Sequence, residues 1–531
     1  MICFIPAWYK ENTWTEREQK WYLPEKQSEF DDTIKQIQLF HRSKSYEQEI
    51  ALLSYAPNFR HFLHRQGIYR AAYWSCFDSI QNVKRKKVRP LSFHNFKWPE
   101  GIEFKYTSFI VAAYLNGEKY ATVDFGEDGN PIQVDMYSEG IVSRRNIYDD
   151  RGFLSSTIVF SYGRPNYQDY LDEEGVWKIR EFMSDGHIEI NPKNEGFTLS
   201  EGFTAQCIKY KKDKYSSMKE LVGEVFRAYV GRSAGSTIFC VAMHENHVDI
   251  LREALVHRNT ILSVYSNRYE FTDKAKVQDI VSNVDYVIAD SRNNSKKISS
   301  MLNIDSSHII DITPFDSRVD FGNSSQLKVK NILVPIDGIE DRTFIQVIKI
   351  LGTYLMEHSD TQAVIFTREP GVNVTEKLKE RINRILDIDT DRFAWTGESA
   401  VDEDDDIDER KRTKLRFEIA QCVDEMSVSR CIRDQRIVVD MRTVPDLYLR
   451  IASVSTGLPQ ILLSESQYVE NGKNGYIVSE VRSVPEKLEY YLENLANWNE
   501  ANVFSYELGQ EYTTDKLLQK WKEVIDSFEL Y

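Results

Sequence analysis

Residues 436–478 read RIVVDMRTVPDLYLRIASVSTGLPQILLSESQYVENGKNGYIV. The apolar run at 437–439 has the composition of a buried strand, and the polar loop behind it leads into an apolar, helix-like segment. Gly457-Leu458-Pro459 stops that helix, because glycine accepts a left-handed φ and proline cannot continue the hydrogen-bond ladder. A second buried strand follows at 460–463, and the turn Asn471-Gly472-Lys473-Asn474-Gly475 precedes a third. Strand, helix and strand in this order are the unit of a parallel α/β sheet.

The chain of 531 residues is too long for one core and suggests about three or four units at roughly 100–200 residues each. With 41% hydrophobic and 12% aromatic residues it can bury sizeable cores. The formal charge of −15, from 82 acidic against 67 basic residues, would repel a polyphosphate backbone, which disfavours a general nucleic-acid binder. The opening Met1-Ile2-Cys3-Phe4-Ile5-Pro6 has no basic leader and no small-residue cleavage site, so it is expected to form a first buried strand rather than a signal peptide. No apolar run reaches the roughly 20 residues of a spanning helix. The six cysteines (Cys3, Cys76, Cys207, Cys240, Cys422, Cys431) are scattered without CxxC pairs, which fits a reducing cytoplasm.

Residues 1–98 alternate strands with helices. The helix near 31–42 carries Phe30, Ile34, Ile37 and Phe40 on one face, and Pro57 suits the first turn of the next. From 102 to 205 the period changes. Gly117, Gly129, Gly140, Gly152, Gly163, Gly175, Gly186 and Gly196 recur in steps of ten to twelve residues, as the turns of an antiparallel meander would. Asn116-Gly117 suits a two-residue hairpin, whose central positions both need positive φ. The α/β pattern returns over 216–325, and a second lobe spans 330–505. Its first helix places Phe344, Val347, Ile348, Leu351 and Leu355 on one face, and Ser483-x-x-Glu486 reads as a capping box. Residues 510–531 end the chain in a helix with an apolar stripe of Leu517, Leu518, Trp521, Val524, Ile525 and Phe528. The expected fold class is therefore α/β, with two Rossmann-like lobes and an inserted antiparallel β domain.

Two charge runs invite functional readings. The stretch 402–409, DEDDDIDE, lacks the glycine and terminal spacing of a calcium loop and runs straight into Arg410-Lys411-Arg412, so it reads as a solvated loop and no metal site is expected. The basic run Lys84-Arg85-Lys86-Lys87-Val88-Arg89 reads either as a solvated linker or as a place for anionic lipid or an acidic partner.

The 436–478 segment resembles the corresponding part of retaining sugar transferases of the GT-B architecture. There the helix before Gly-Leu-Pro carries two glutamates eight positions apart, and the matching places here are Val444 and Ala452. Neither side chain can accept a ribose hydrogen bond. Gly457 of the turn is kept and counts as a candidate cleft residue. Such transferases also neutralise the donor diphosphate with an arginine and a lysine in the loop after the second lobe's first strand. This chain has Asp337, Glu340 and Asp341 there, which would repel a diphosphate, and only Arg342 to compensate. The resemblance implies a degenerate donor site with no catalytic residue and no cofactor. His244-Glu245-Asn246-His247, after a buried strand, is similar to a histidine-containing motif in the first lobe of adhesin and teichoic-acid glycosyltransferases. One histidine could hydrogen-bond a sugar hydroxyl with Glu245 beside it, and a structural pair in a loop is the alternative. It is not an HExxH zinc motif, because the second histidine follows the first by three positions.

Across nearly the whole chain, Phe4-Ile5-Pro6-Ala7-Trp8-Tyr9, the tyrosine-rich insertion with Arg144-Arg145-Asn146-Ile147-Tyr148-Asp149-Asp150-Arg151-Gly152, and the degenerate second lobe resemble one family. It is the first accessory secretory protein of the accessory Sec system of streptococci and staphylococci. The resemblance implies a cytoplasmic, non-catalytic export factor that works with the second and third accessory secretory proteins, the accessory Sec motor ATPase and glycosylated serine-rich-repeat adhesin. It also implies that the C-terminal helix returns to the first lobe. Sugar acetylation is associated with the second protein, so catalysis in such an assembly need not lie here. The competing expectation is an active GT-B glycosyltransferase that acts on a protein acceptor through an unusual donor site.

Overall fold

The computed structural model describes residues 1–11, 13–16, 30–43, 46–201, 204–266, 268–269, 273–302, 306–317, 322–386, 393–395 and 415–528. The acidic run at 402–409 lies outside them. The chain divides into two compact units, one made mainly of residues 36–288 with the N-terminal strand, the other mainly of residues 311–531.

The first unit holds a seven-stranded sheet ordered Ile309–Asp311, Tyr286–Ala289, Thr260–Val264, Ile238–Ala242, Ile2–Ile5, Gln48–Leu52, Ala72–Ser75. The five strands from Thr260–Val264 to Ala72–Ser75 run parallel. Ile2–Ile5 and Ile238–Ala242 are buried along their whole lengths, as apolar runs covered on both faces must be. Helix Asp32–Ser43 falls where its apolar spacing predicts, and Ile34, Ile37 and Phe40 are buried. The helix expected from Pro57 begins two residues later, at Phe59.

The same unit carries a ten-stranded sheet in which consecutive strands from Glu103–Tyr106 to Ile188–Ile190 pair, with Lys214–Tyr215 on the far edge. Its pairings are antiparallel, which bears out the glycine spacing. Three of its hairpins put both central residues at positive φ: Asn116-Gly117, Glu139-Gly140 and Tyr162-Gly163. A small core of Phe93, Val111, Ala113, Ala121, Val123, Val134 and Tyr148 backs one end of this sheet.

The sheet is fastened to the parallel layer by its turn at Asp149-Asp150-Arg151-Gly152. Arg151 grips Asp149 through Nε and Nη2 at 2.7 Å each and reaches Asp78 at 2.8 Å. The Asp150 amide donates to the Pro57 carbonyl at 2.8 Å, and the His61 amide donates to Asp150 Oδ2 at 3.1 Å. Gly152 stands at φ +89°, where a β-carbon would lie 1.8 Å from the Arg89 carbonyl oxygen. Within the basic run, Arg85 joins this junction by donating from Nη1 to the Gly152 carbonyl at 2.7 Å, and it pairs with Glu173 at 3.4 Å.

Burial, reinforced by Asp149, raises Asp150 from 3.8 to about 7. A carboxyl raised in the folded chain adds stability below its unfolded pKa and loses it as pH climbs through the folded value. Asp150→Asn keeps an acceptor for the His61 amide and abolishes the charge. It should therefore raise the thermal midpoint at pH 8, by about 2–4 °C per kcal/mol recovered, and have little effect at pH 4, which melting curves at both pH values would measure.

The second unit is built on seven parallel strands ordered Phe393–Trp395, Leu415–Gln421, Thr361–Thr367, Lys330–Pro335, Ile437–Asp440, Gln460–Leu462, Gly475–Ile477. Helix Asp341–Glu357 buries the five apolar residues its period predicts against this sheet. The capping box expected at Ser483 does not form. A 3₁₀ turn at Val481–Ser483 leaves Ser483 at helical φ and ψ, without a side-chain cap, and the second helical position is Pro485, which has no N–H to bind. The C-terminal helix Thr514–Ser527 buries Leu517, Trp521, Val524 and Ile525. Among the described residues, no helix is long and apolar enough to cross a membrane.

Candidate functional site

In both parallel sheets the order reverses beside the first strand of the lobe, and a ligand crevice belongs at the carboxyl ends of the strands on either side of that point. In the first unit these ends are the loops after Ile2–Ile5 and Ile238–Ala242, which bring Tyr9 to the histidine motif. His247 is fully buried. Its Nδ1 lies 2.7 Å from the Ala242 carbonyl, an acceptor only, so Nδ1 carries the proton and Nε2 accepts from the Tyr9 hydroxyl at 2.8 Å. Burial, helped by His244, lowers its pKa to about 3. His244 is half-buried and opens the 3₁₀ turn Glu245–His247, its Nδ1 accepting from the Asn246 amide at 3.1 Å. The Tyr9 ring is tilted against it at 4.9 Å. Burial and Arg268 lower His244 to about 4, so at neutral pH it too is uncharged. Glu245 is exposed.

The two histidines therefore differ in kind. Both His247 nitrogens are committed within the protein, whereas His244, accepting at Nδ1, keeps its Nε2–H for an outside acceptor. His247→Ala should cost about 2–4 kcal/mol, through two orphaned polar groups and the cavity left behind, while His244→Ala should stay within about 1 kcal/mol. Urea titrations of the two variants at pH 7 would check the contrast.

In the second unit the reversal lies between Lys330–Pro335 and Ile437–Asp440. The three loops at this edge are held together by hydrogen bonds and an ion pair. Asp337, half-buried, turns sideways: Thr367 Oγ1 donates to Oδ1 at 2.5 Å and the Arg368 amide donates to Oδ2 at 2.7 Å. Arg368 reaches Asp446 at 3.0 Å and lies 3.9 Å over the Phe30 ring. Asp440, fully buried, takes Arg442 through Nε and Nη2 at 2.8 Å each, with Arg450 Nη2 at 3.1 Å. Burial alone would raise Asp440, but Arg450 and Arg442 hold it below the usual carboxylate range.

Glu340 is the N-cap residue of the first helix but makes no side-chain cap bond, and Asp341 pairs with Arg381 at 2.8 Å. Arg342 is exposed and has no ion-pair partner among the described residues. Val444 lies in the loop before helix Leu447–Ser455, 49% exposed, and not on the helix where a paired glutamate was expected. The helix starts late because Asp446 caps it, accepting from the Leu449 amide at 3.1 Å. Ala452 is on the helix and lines a cavity of about 570 Å³ with Tyr448, Phe315, Met426, Lys35 and Glu425, the last two ion-paired. Gly457 is a helix stop. At φ +73°, its amide bonds the Val454 carbonyl and that of Leu458 bonds Ser453, a Schellman closure, and a β-carbon there would sit 1.9 Å from Asn502 Nδ2.

Arg368, Asp440, Arg442, Asp446 and Arg450 escaped the sequence reading. For Asp440 and Arg442 the visible signal is an aspartate closing an apolar strand with an arginine two positions on, a spacing that Asp149 and Arg151 repeat at the end of a polar strand. Among the described residues, no group of three or more histidine, cysteine, aspartate or glutamate side chains is arranged to hold a metal ion.

Two parallel α/β lobes with an antiparallel sheet set into the first make a GT-B-like fold. The pneumococcal O-GlcNAc transferase GtfA, solved with UDP and GlcNAc, shares this fold at a TM-score of 0.68 and 12% identity, covering 99% of this chain and 98% of its own. The chain belongs to the accessory Sec system protein family of accessory secretory protein 1, whose model matches residues 1–527. The Streptococcus gordonii member of that family is 30% identical over 99% of this chain and all of its own length. In the crystal structure of accessory secretory proteins 1, 2 and 3 of Streptococcus pneumoniae, a chain 27% identical superposes at a TM-score of 0.76 over 100% of this chain and 99% of its own.

Proposed function

We propose that this chain is a non-catalytic export factor that uses a glycosyltransferase scaffold to bind rather than to transfer. The observation that carries the reading is the ion-paired edge of the second lobe. Arg368, Arg442 and Arg450 are spent on Asp446 and Asp440, a methyl group occupies the Ala452 position, and Arg342 is the unpaired cation left beside the loop among the described residues. A nucleotide-sugar diphosphate needs paired donors and neutralising charge, and the inward-facing cations here are already engaged.

The partners in this reading are the second and third accessory secretory proteins, supported by the pneumococcal complex, together with the accessory Sec motor ATPase and glycosylated serine-rich-repeat adhesin. His244, with its open Nε2, is the residue assigned to a sugar hydroxyl. The protein works in the cytoplasm, with peripheral contact to an anionic membrane face through Lys84, Lys86 and Lys87.

Deleting the gene should leave fully glycosylated adhesin inside the cell. Lectin blots of cytoplasmic and surface fractions would check this. Adhesin exported normally, or exported without its sugar, would refute the reading.

A further inference from the structure

Helix Leu495–Gly509 has the sequence LANWNEANVFSYELG and is apolar on two sides. One side, with Trp498, Ala501, Ser505 and Gly509, is buried in the second unit. The other presents Leu495, Val503 and Tyr506, which are 59%, 57% and 48% exposed, and the neighbouring helix Val484–Leu492 adds Tyr490 at 38%. Leu495, Asn499, Val503 and Tyr506 recur at spacings of four and three, so the three apolar side chains share one outward stripe that Asn499 interrupts. Large apolar side chains grouped on the open face of a surface helix mark a place for a partner to cover.

The flank of the stripe carries charge of one sign. Glu500 and Glu507 are exposed beside Val503 and Tyr506, Glu511 follows just past the helix end, and the helix contains no lysine or arginine. A second copy of this helix would bring carboxylates against carboxylates, because Lys487 of the neighbouring helix is already paired with Glu486 at 2.8 Å. An anionic membrane surface would be repelled in the same way. A basic helix meets neither obstacle, because its apolar side matches the stripe and its cations match the glutamates.

We propose that the exposed face of Leu495–Gly509 seats a basic amphipathic helix of a protein partner. Leu495, Val503 and Tyr506 take its apolar side, and Glu500 and Glu507 take lysines or arginines at its margin.

The test uses the full-length protein and two synthetic amphipathic helices of about 18 residues, five turns, with the same leucine face and either lysine or glutamate flanks. Fluorescence anisotropy should show salt-sensitive binding of the lysine helix and none of the glutamate helix. Val503→Ser with Tyr506→Ser should weaken the lysine helix about tenfold or more, and Glu500→Gln with Glu507→Gln should weaken it and flatten the salt dependence. All four positions are exposed, so unchanged melting curves are expected alongside. Equal affinity in the variants, or equal affinity for both peptides, would overturn the proposal. So would a dimer in sedimentation equilibrium that Val503→Ser with Tyr506→Ser dissociates, or phosphatidylglycerol-vesicle binding that the same change abolishes.

Discussion

Replacing Asp440 with alanine is expected to cost about 3–5 kcal/mol of stability, more than any other single change at the second lobe's switch point. The carboxylate is fully buried and answers two guanidiniums, Arg442 through two bonds at 2.8 Å and Arg450 at 3.1 Å. Without it two cations remain in a dry interior, and Arg450, fully buried, has no other ion-pair partner among the described residues. The pH dependence has a definite sign. Arg450 and Arg442, acting against burial, hold Asp440 below 3.8, so its stabilisation is complete above that value and is lost as pH falls through the still lower folded value. Urea unfolding should show wild type and Asp440→Ala converging only in strong acid. A loss under about 1 kcal/mol at pH 7 would mean that the cluster is hydrated rather than sealed.

The second large effect concerns nucleotide sugars. Removing a few charge-assisted hydrogen bonds at about 1.5–3 kcal/mol each weakens donor binding by several orders of magnitude. Isothermal titration with UDP-GlcNAc or UDP-glucose should therefore give no saturable heat, and radiolabelled donors should be neither transferred nor hydrolysed. Ala452→Glu restores one carboxylate facing the cavity, yet it should not rescue binding, because the diphosphate end still meets Asp337, Glu340 and Asp341. Robust transfer by the purified wild-type chain would instead support the active-enzyme alternative.

The fold was legible because its signals are local. Apolar runs at 2–5 and 238–242 had to be buried strands, the helix at 341–357 carries its period openly, and evenly stepped glycines mark hairpins that few other residues could turn. The sites were legible only as places. Strand ends pointed to His244 and to the loop at 337–342, but whether a side chain faces a ligand or its own protein depends on residues distant in sequence. His247 is committed by Tyr9, 238 positions away, and Asp337 is turned inward by Thr367 and Arg368, 30 and 31 positions away. Local rules failed where a neighbouring element intervened. The 3₁₀ turn at Val481–Ser483 displaced the capping box, and the Asp446 cap left Val444 in a loop.

The seat of Gly457 against Asn502 bears on how such proteins are recognised at all. The turn survives because a neighbouring helix occupies the space where any side chain would go, a constraint indifferent to whether UDP is ever bound. A sequence search keyed on Gly-Leu-Pro therefore gathers chains by the way they end a helix. The question of catalysis turns instead on whether the arginines at the strand ends have aspartates of their own, as Arg442 and Arg450 have Asp440 here.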